Sequence, residues 1–301
     1  MSDSNWLSEF PEMDASDLRA IRKTLDGAYR DFSREYGELI ESLFDPLLAF
    51  LVWFEKLLIS TPWFIILGVC TTLVYAASRS WKLAAACFGS LILIGYFGMW
   101  EDTMRTLSII TVCTMLAIAL GIPIGIAMAR SNRIQSVVTP LLDVMQTMPA
   151  FVYLIPVVML LGIGKIPGLI AVVIYAIPPV IRLTNLGIRL VDKEVLEAAT
   201  AFGASTRQRL FGGVQLPLAM PTIMAGINQT IMMALSMVVI ASMIGGVKGL
   251  GQPVLKSITN QYFTLGLLNG LAIVALAILF DRASQAYAKR TQAHLGDSKN
   301  D

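Results

Sequence analysis

The residue types that usually carry covalent chemistry are scarce in this sequence and do not converge. The single histidine, His294, stands in a polar stretch near the C-terminal end. Cys70, Cys87 and Cys113 each lie inside an apolar run, at spacings that match no metal-binding pattern, and read as packing residues. No cluster of carboxylates accompanies them, so acid–base or nucleophilic catalysis has no constellation to work with. Gly162-Ile163-Gly164-Lys165-Ile166 has a faint look of a phosphate-binding loop. It lacks the first glycine and the hydroxyl residue after the lysine, and it sits at the edge of an apolar run, so it is no phosphate cradle. The expectation is a chain with no catalytic residue, no metal and no cofactor of its own. The candidate chemistry that remains is non-covalent. Gln146, Asn228 and Gln229 are uncharged polar groups at or inside apolar stretches, where polar residues are functional candidates by default. Hydrogen bonding between helices explains them equally well. Phe151, Tyr153 and Tyr175 stand on proline-interrupted stretches, where they either line a path or pack.

The elements that position these residues follow from composition. Hydrophobic residues make up 55% of the chain and charged residues 15%, against about 25% charged in an ordinary soluble domain. Mean hydropathy is +0.68. After residue 60 the apolar runs reach the roughly 20 residues that span a bilayer. In lipid the backbone must satisfy its own hydrogen bonds, so such runs are helices. The expected fold class is therefore all-α, a polytopic membrane protein with about seven spans near 62–78, 83–99, 106–129, 146–162, 167–184, 217–244 and 264–281. Trp63, Trp81 and Trp100 sit at span ends, as interfacial aromatics do. Gly121-Ile122-Pro123, Pro149, Pro156 and Pro178-Pro179 are expected to break spans, either as kinked packing or along a polar path.

Residues 1–60 form a separate N-terminal segment. Leu18, Ile21, Leu25, Tyr29, Phe32, Tyr36, Leu39 and Leu43 recur in steps of three or four and predict one apolar helical face. Pro46 is expected to end that helix. Asp45 to Ser60, carrying Glu55 and Lys56, reads as a short helix lying in the interface. Met1 to Asp17 is polar and acidic and does not read as a signal peptide. Residues 286–301 read as a polar tail.

Charge sets the orientation. Arg79, Lys82, Arg130, Arg133, Arg182, Arg189, Lys193, Arg207, Arg209, Arg282, Lys289 and Arg290 all fall on one side of the seven spans. Glu101, Asp102 and the acidic N-terminal segment fall on the other, with only scattered Lys165, Lys248 and Lys256. By the positive-inside rule the first side is cytoplasmic, which puts the N-terminus outside and the C-terminus inside.

The longest connection on the basic side, 185–216, is the most informative stretch. Asp192 to Phe202 predicts a short amphipathic helix with Val195, Leu196, Ala199 and Phe202 on its apolar face. Ala198 and Ala199 permit close approach of another surface, and Gly203 suits the left-handed position that ends a helix. A second short helix fits before Pro217. A helical hairpin with exposed apolar groups is a docking element.

The residues Glu197-Ala198-Ala199, Gly203 and Leu216-Pro217 resemble the Glu-Ala-Ala signature of ABC importer permeases. The gap from glycine to the leucine–proline pair is one residue longer than usual, with Gly212-Gly213 in the extra space. Over roughly 60–285 the chain resembles the glycine betaine/proline betaine subfamily. The residues that carry this are Pro140-Leu141-Leu142-Asp143, Met145 to Tyr153, Leu216 to Gly226, Ala234 to Ile244 and Gly249-Leu250-Gly251. The resemblance implies a type I, MetI-like transmembrane domain over 61–285 in the bacterial inner membrane. It implies as partners two copies of a cytoplasmic ATPase, which uses ATP and Mg, an external substrate-binding protein, a second copy of this chain, and membrane lipid, with no nucleic acid. Glu197, Ala198, Ala199, Gly203, Leu216 and Pro217 would couple to the ATPase. Arg207 and Arg209 are rim contacts or simple inside charges. The substrate class would be quaternary or tertiary amines, cations that aromatic faces such as Phe151, Tyr153 and Tyr175 can hold. Asp143 reads as an interfacial anchor or a partner of nearby arginines.

An ion-coupled secondary transporter is the main rival; it would show paired repeats and ionisable groups inside the spans, and neither stands out. Single cysteines placed along Leu18 to Leu43 should react with an impermeant thiol reagent added from outside. Protection from outside with access from the cytoplasm would reverse the predicted orientation.

Overall fold

The computed structural model describes Glu12 to Asp297 apart from Gly212 and Gly245; the side chains of Phe211 and of residues 290–297, His294 among them, lie outside the described residues. Thirteen α-helices and no strands are found among the described residues. The chain divides into two compact units, 1–45 and 46–301.

The first helix, α1, runs Ala15–Ser60. Within the first unit its predicted apolar stripe exists and is exposed, with Leu25, Leu39 and Leu43 all more than half accessible. The rings of Phe32 and Tyr36 meet at a tilt one turn apart, their centroids 5.0 Å from each other. The expected stop at Pro46 is not found, and neither is a separate interfacial helix starting at Asp45: the helix passes through the proline. A proline inside a helix forfeits one hydrogen bond, that of its own missing N–H, and a long helix can absorb the loss.

In the second unit the helices are α2 (Trp63–Ser78), α3 (Trp81–Tyr96), α4 (Trp100–Arg130), α5 (Asn132–Thr147), α6 (Ala150–Leu161), α7 (Lys165–Ala176), α8 (Pro178–Arg189), α9 (Lys193–Ala201), α10 (Thr206–Phe211), α11 (Gln215–Ile244), α12 (Gly251–Asn260) and α13 (Phe263–Asp297). Four runs are long and apolar enough to cross a membrane: α4, α7 with α8 as one 25-residue run, α11, and α13 as far as Lys289. The other three predicted spans are incomplete as single rods. The end of α1 and α2 form a pair bent by 111°, α5 and α6 a pair bent by 98°, and α3 is a shorter apolar helix. Counting each bent pair once gives up to six spans among the described residues. The segment 286–297, expected as tail, continues α13.

Prolines break the chain less often than expected. Of the prolines expected to break spans, only Pro149 does so sharply. Met148 before it is held extended (φ −72°, ψ 134°), as the residue preceding a proline prefers. Pro123 and Pro156 stay inside α4 and α6. Pro178 and Pro179 open α8, where a first-turn N–H has no intrahelical partner to lose. Ile177 stays helical (φ −71°, ψ −30°), so α7 continues into α8.

The core is built on α4, α8 and α11. Lipid offers helices no hydrophobic reason to associate, so they meet where small residues let backbones approach. Gly121 and Gly125 of α4 face α8; a Cβ at Gly125 would stand 2.6 Å from Thr184 Cβ and 2.7 Å from the Ile181 carbonyl. Gly187 of α8 meets Ala219 and Thr222 of α11, and Gly226 of α11 meets Val180 and Leu183. At the basic end Arg189 closes the packing, its guanidinium donating to the Met128 carbonyl at 2.8 Å and to Asn185 at 3.0 Å. Gly125→Val should cost about 1–3 kcal/mol of overpacking strain and lower the melting temperature of the detergent-solubilised protein. Gly89→Ala should leave it unchanged or slightly raised, since a Cβ there meets nothing within 4 Å and alanine suits a helix interior better than glycine.

Candidate docking loop and membrane path

The loop after α8 is a folded object. Asp192 caps α9 by accepting from the Glu194 N–H at 3.0 Å. At the other end Gly203 takes φ +85°. The Gly203 N–H donates to the Thr200 carbonyl at 2.9 Å and the Ala204 N–H to the Ala199 carbonyl at 3.0 Å, the paired bonds of a Schellman cap. Ser205 and Gln208 then cap α10 reciprocally: the Ser205 N–H donates to Gln208 Oε1 at 2.8 Å and the Gln208 N–H to Ser205 Oγ at 3.3 Å. Arg209 ties the two helices together by donating to Thr200 Oγ1 at 2.8 Å and Thr206 Oγ1 at 3.2 Å.

A buried leucine fastens this hairpin to the bundle. Leu210 is buried against Ile188 of α8 and Ala219 and Ile223 of α11, with Leu216 beside them. The two halves of the sequence motif are thus joined by α10. Leu216 and Pro217 lie in the first turn of α11, half-buried. Glu197, Ala198 and Gly203 are exposed and Ala199 is half-buried. Phe202 is 93% exposed, and a bare aromatic ring beside small residues is suited to being covered by another protein. Sequence reasoning missed Leu210 and the roles of Ser205 and Gln208, although the Ser-x-x-Gln spacing is a readable capping box.

The membrane-path candidates do not form one site. Gln146, Gln229 and Phe151 are exposed. Tyr153 is buried; its hydroxyl donates to the Met145 carbonyl across the α5–α6 bend, and its ring meets Tyr175 edge-on at 5.7 Å. Asn228 is fully engaged with α13: its amide donates to Asp281 at 3.2 Å and its carbonyl accepts from the Ser284 hydroxyl, while Gln285 donates to Asp281 at 2.7 Å. That is the interhelical hydrogen bonding foreseen as one of two readings of Asn228. Asp143 pairs with Arg182 of α8.

A second charged cluster, not foreseen, lies at the opposite end of the bundle. Glu55, taken from sequence as an interfacial mark, has a side chain only 12% exposed and accepts from Lys165 at 2.6 Å. Arg105 of α4 stands 3.7 Å from the same carboxylate and also pairs with Asp102 at 3.3 Å and with Glu101. Glu55 and Lys165 are 110 residues apart, and no local pattern announces such a pair. Next to the cluster, Thr106 Oγ1 accepts the Leu250 N–H at 3.0 Å, seating the turn between α11 and α12 on α4.

The family model described as the inner membrane component of binding-protein-dependent transport systems matches residues 121–293. The chain is 48% identical over 245 residues to the glycine betaine/proline betaine transport system permease protein ProW of Escherichia coli, covering 80% of this chain and 67% of that protein. It is 48% identical over 234 residues to the glycine betaine/carnitine transport permease protein GbuB of Listeria monocytogenes, covering 77% of this chain and 82% of that one. An inward-facing structure of the MetNI methionine ABC transporter superposes with a TM-score of 0.57 at 18% identity, over 64% of this chain and 94% of that chain, a likeness of fold.

Removing the cap should loosen the hairpin without unfolding the bundle. Ser205→Ala should cost about 1 kcal/mol. Amide hydrogen exchange at Thr206 to Leu210 should then rise about fivefold while exchange in α8 and α11 stays at the parent rate.

Proposed function

Since this chain belongs to the family of binding-protein-dependent transport system inner membrane components, we propose that it is the permease of an ATP-driven importer that takes up a small quaternary or tertiary amine. Glycine betaine, proline betaine, choline, carnitine and trimethylamine N-oxide are the class. Relatives named for glycine betaine, carnitine, choline and trimethylamine N-oxide transport support it. The observation that carries the reading is the rigid α9–α10 hairpin, with Glu197, Ala198, Ala199, Phe202 and Gly203 on its outer side.

In this reading the hairpin lies in the cytoplasm, where two copies of an ATPase subunit grip it; the N-terminus is outside. Two copies of the permease form the translocation unit, and an external binding protein delivers the amine. ATP hydrolysis with Mg belongs to the partner, and this chain makes and breaks no covalent bond. Nucleotide-driven closure of the ATPases displaces α9 and α10. Arg209 and the two caps make the hairpin move as a body, and Leu210 passes that displacement to α8 and α11. Those rods carry it across the membrane, so access alternates between the two sides. Glu197 provides the polar contact in the ATPase cleft, and Ala198, Ala199 and Gly203 the close packing. Leu216 and Pro217 fix the start of α11 beneath the hairpin. Phe151 and Tyr175 are the aromatics left to face a passing cation, because the Tyr153 ring is buried, and the Asn228 amide is already engaged with Asp281.

Proteoliposomes holding the permease, its ATPase and its binding protein should accumulate labelled glycine betaine only with internal ATP. Uptake driven by an ion gradient without ATP would overturn the assignment. Gly203→Val forces a β-branched residue into a left-handed position, a strain of about 1–3 kcal/mol. The variant should reach the membrane in normal amount but lose uptake, and unchanged uptake would remove the docking role.

A further inference from the structure

We infer that Glu55 is a transferable latch at the acidic end of the bundle: its carboxylate holds Lys165 at the tip of α7 in the conformation seen, and passes to Arg105 of α4 when that tip moves. The role rests on the importer reading above and adds to it a named conformational contact.

Three observations carry it. The first is an unused donor. Arg105 Nε is buried and has no hydrogen-bond partner, and it stands 3.7 Å from Glu55 Oε1. That is too long for a bond and close enough to become one. The remaining guanidinium nitrogens are engaged by Asp102 and Glu101. Glu55 meanwhile gives its other oxygen to Lys165 at 2.6 Å.

The second is the cost of release. Taking the only partner from a buried carboxylate strands a charge and is strongly unfavourable. A carboxylate with a second donor in waiting escapes that cost, because a shift of about 1 Å brings Arg105 to the roughly 2.8 Å of a charge-assisted bond as Lys165 leaves. Lys165 leaves cheaply as well: its side chain is 28% exposed, and the ammonium on its flexible stem can be taken up by water.

The third is the position of Lys165. It is the first residue of α7 and follows Gly162, which has φ +79°, and the exposed Ile163; Gly164 supplies no side-chain cap. The backbone ahead of it can therefore swing without breaking a helix. Behind it α7 runs into α8 and so to the docking hairpin. Displacing the hairpin pulls on Lys165 through that run, whereas Glu55 stands on α1, a separate helix that meets the core one turn away at Leu51. The two sides of the contact are thus carried by elements that the transport cycle would move apart.

The test joins cysteines at the two positions in an otherwise cysteine-free chain, reconstituted with its ATPase and binding protein. Glu55→Cys with Lys165→Cys is bridged by a short bis-methanethiosulfonate linker, which reductant removes. ATP-driven uptake by the parent complex is measured first; its absence would count against the importer reading itself. With that uptake in hand, bridging should abolish transport and reductant should restore it, while the linker has no effect on either single variant. Full uptake by a completely bridged complex would overturn the latch and leave the importer reading standing. Arg105→Lys keeps the positive charge and removes the waiting Nε donor, so it should slow uptake in an assembled complex. Parent-level uptake in that variant would overturn the transfer to Arg105.

Discussion

The structure depends on how closely the backbones of α4, α8 and α11 approach. In a solvent of hydrocarbon, burial of apolar side chains gives helices no preference for one another, so packing density and satisfied hydrogen bonds must hold the bundle. Gly121, Gly125, Gly187 and Gly226 supply the missing volume on three facing surfaces. Arg189 and the Asn228–Asp281–Ser284 group then join the helices by hydrogen bonds to groups that would otherwise go unmet. The most buried of the long runs, α7 with α8, is also the one that leads directly into the docking hairpin, so tight packing stands directly behind the surface that a partner would grip.

The hairpin extends the same economy of motion beyond the bundle. A flexible loop would absorb a push, because its own conformations would change first. Here α9 is closed at both ends by hydrogen bonds, α10 is capped at its start, and a guanidinium links them. Displacement passes through Leu210, and along the chain itself, into α8 and α11.

Much of this was legible in the sequence because the signals are local. Apolar runs of membrane length predict the long helices, and α4, α11 and α13 coincide with them. The residues of the coupling signature predict the hairpin, and the left-handed Gly203 at the end of α9 follows from its place after an amphipathic run. The failures have physical causes too. Pro46 was read as a stop and Pro123 as part of a break within its span, yet one missing N–H does not end a helix whose other bonds persist. Pro149 was read as a kink inside a span and turns the chain through nearly a right angle, because Met148 is forced extended as well. The residues at 146–153 therefore lie around a corner, which sequence spacing could not reveal. Glu55 and Lys165 looked like stray charges because each finds its partner across the fold; a pattern read along the chain carries no record of such meetings.

The run from Lys165 to Arg189 bends once, at Ile177, and is the most buried of the long runs. At about 1.5 Å per residue its 25 residues amount to close to 40 Å, with a charged contact at one tip and the hairpin at the other. A packed helical run has no preferred direction of signalling. If grip on the hairpin biases the far tip, then whatever stabilises the far tip must strengthen or weaken that grip by the same free energy. A partner bound at the far tip would on these grounds be felt at the hairpin, with no separate messenger between them.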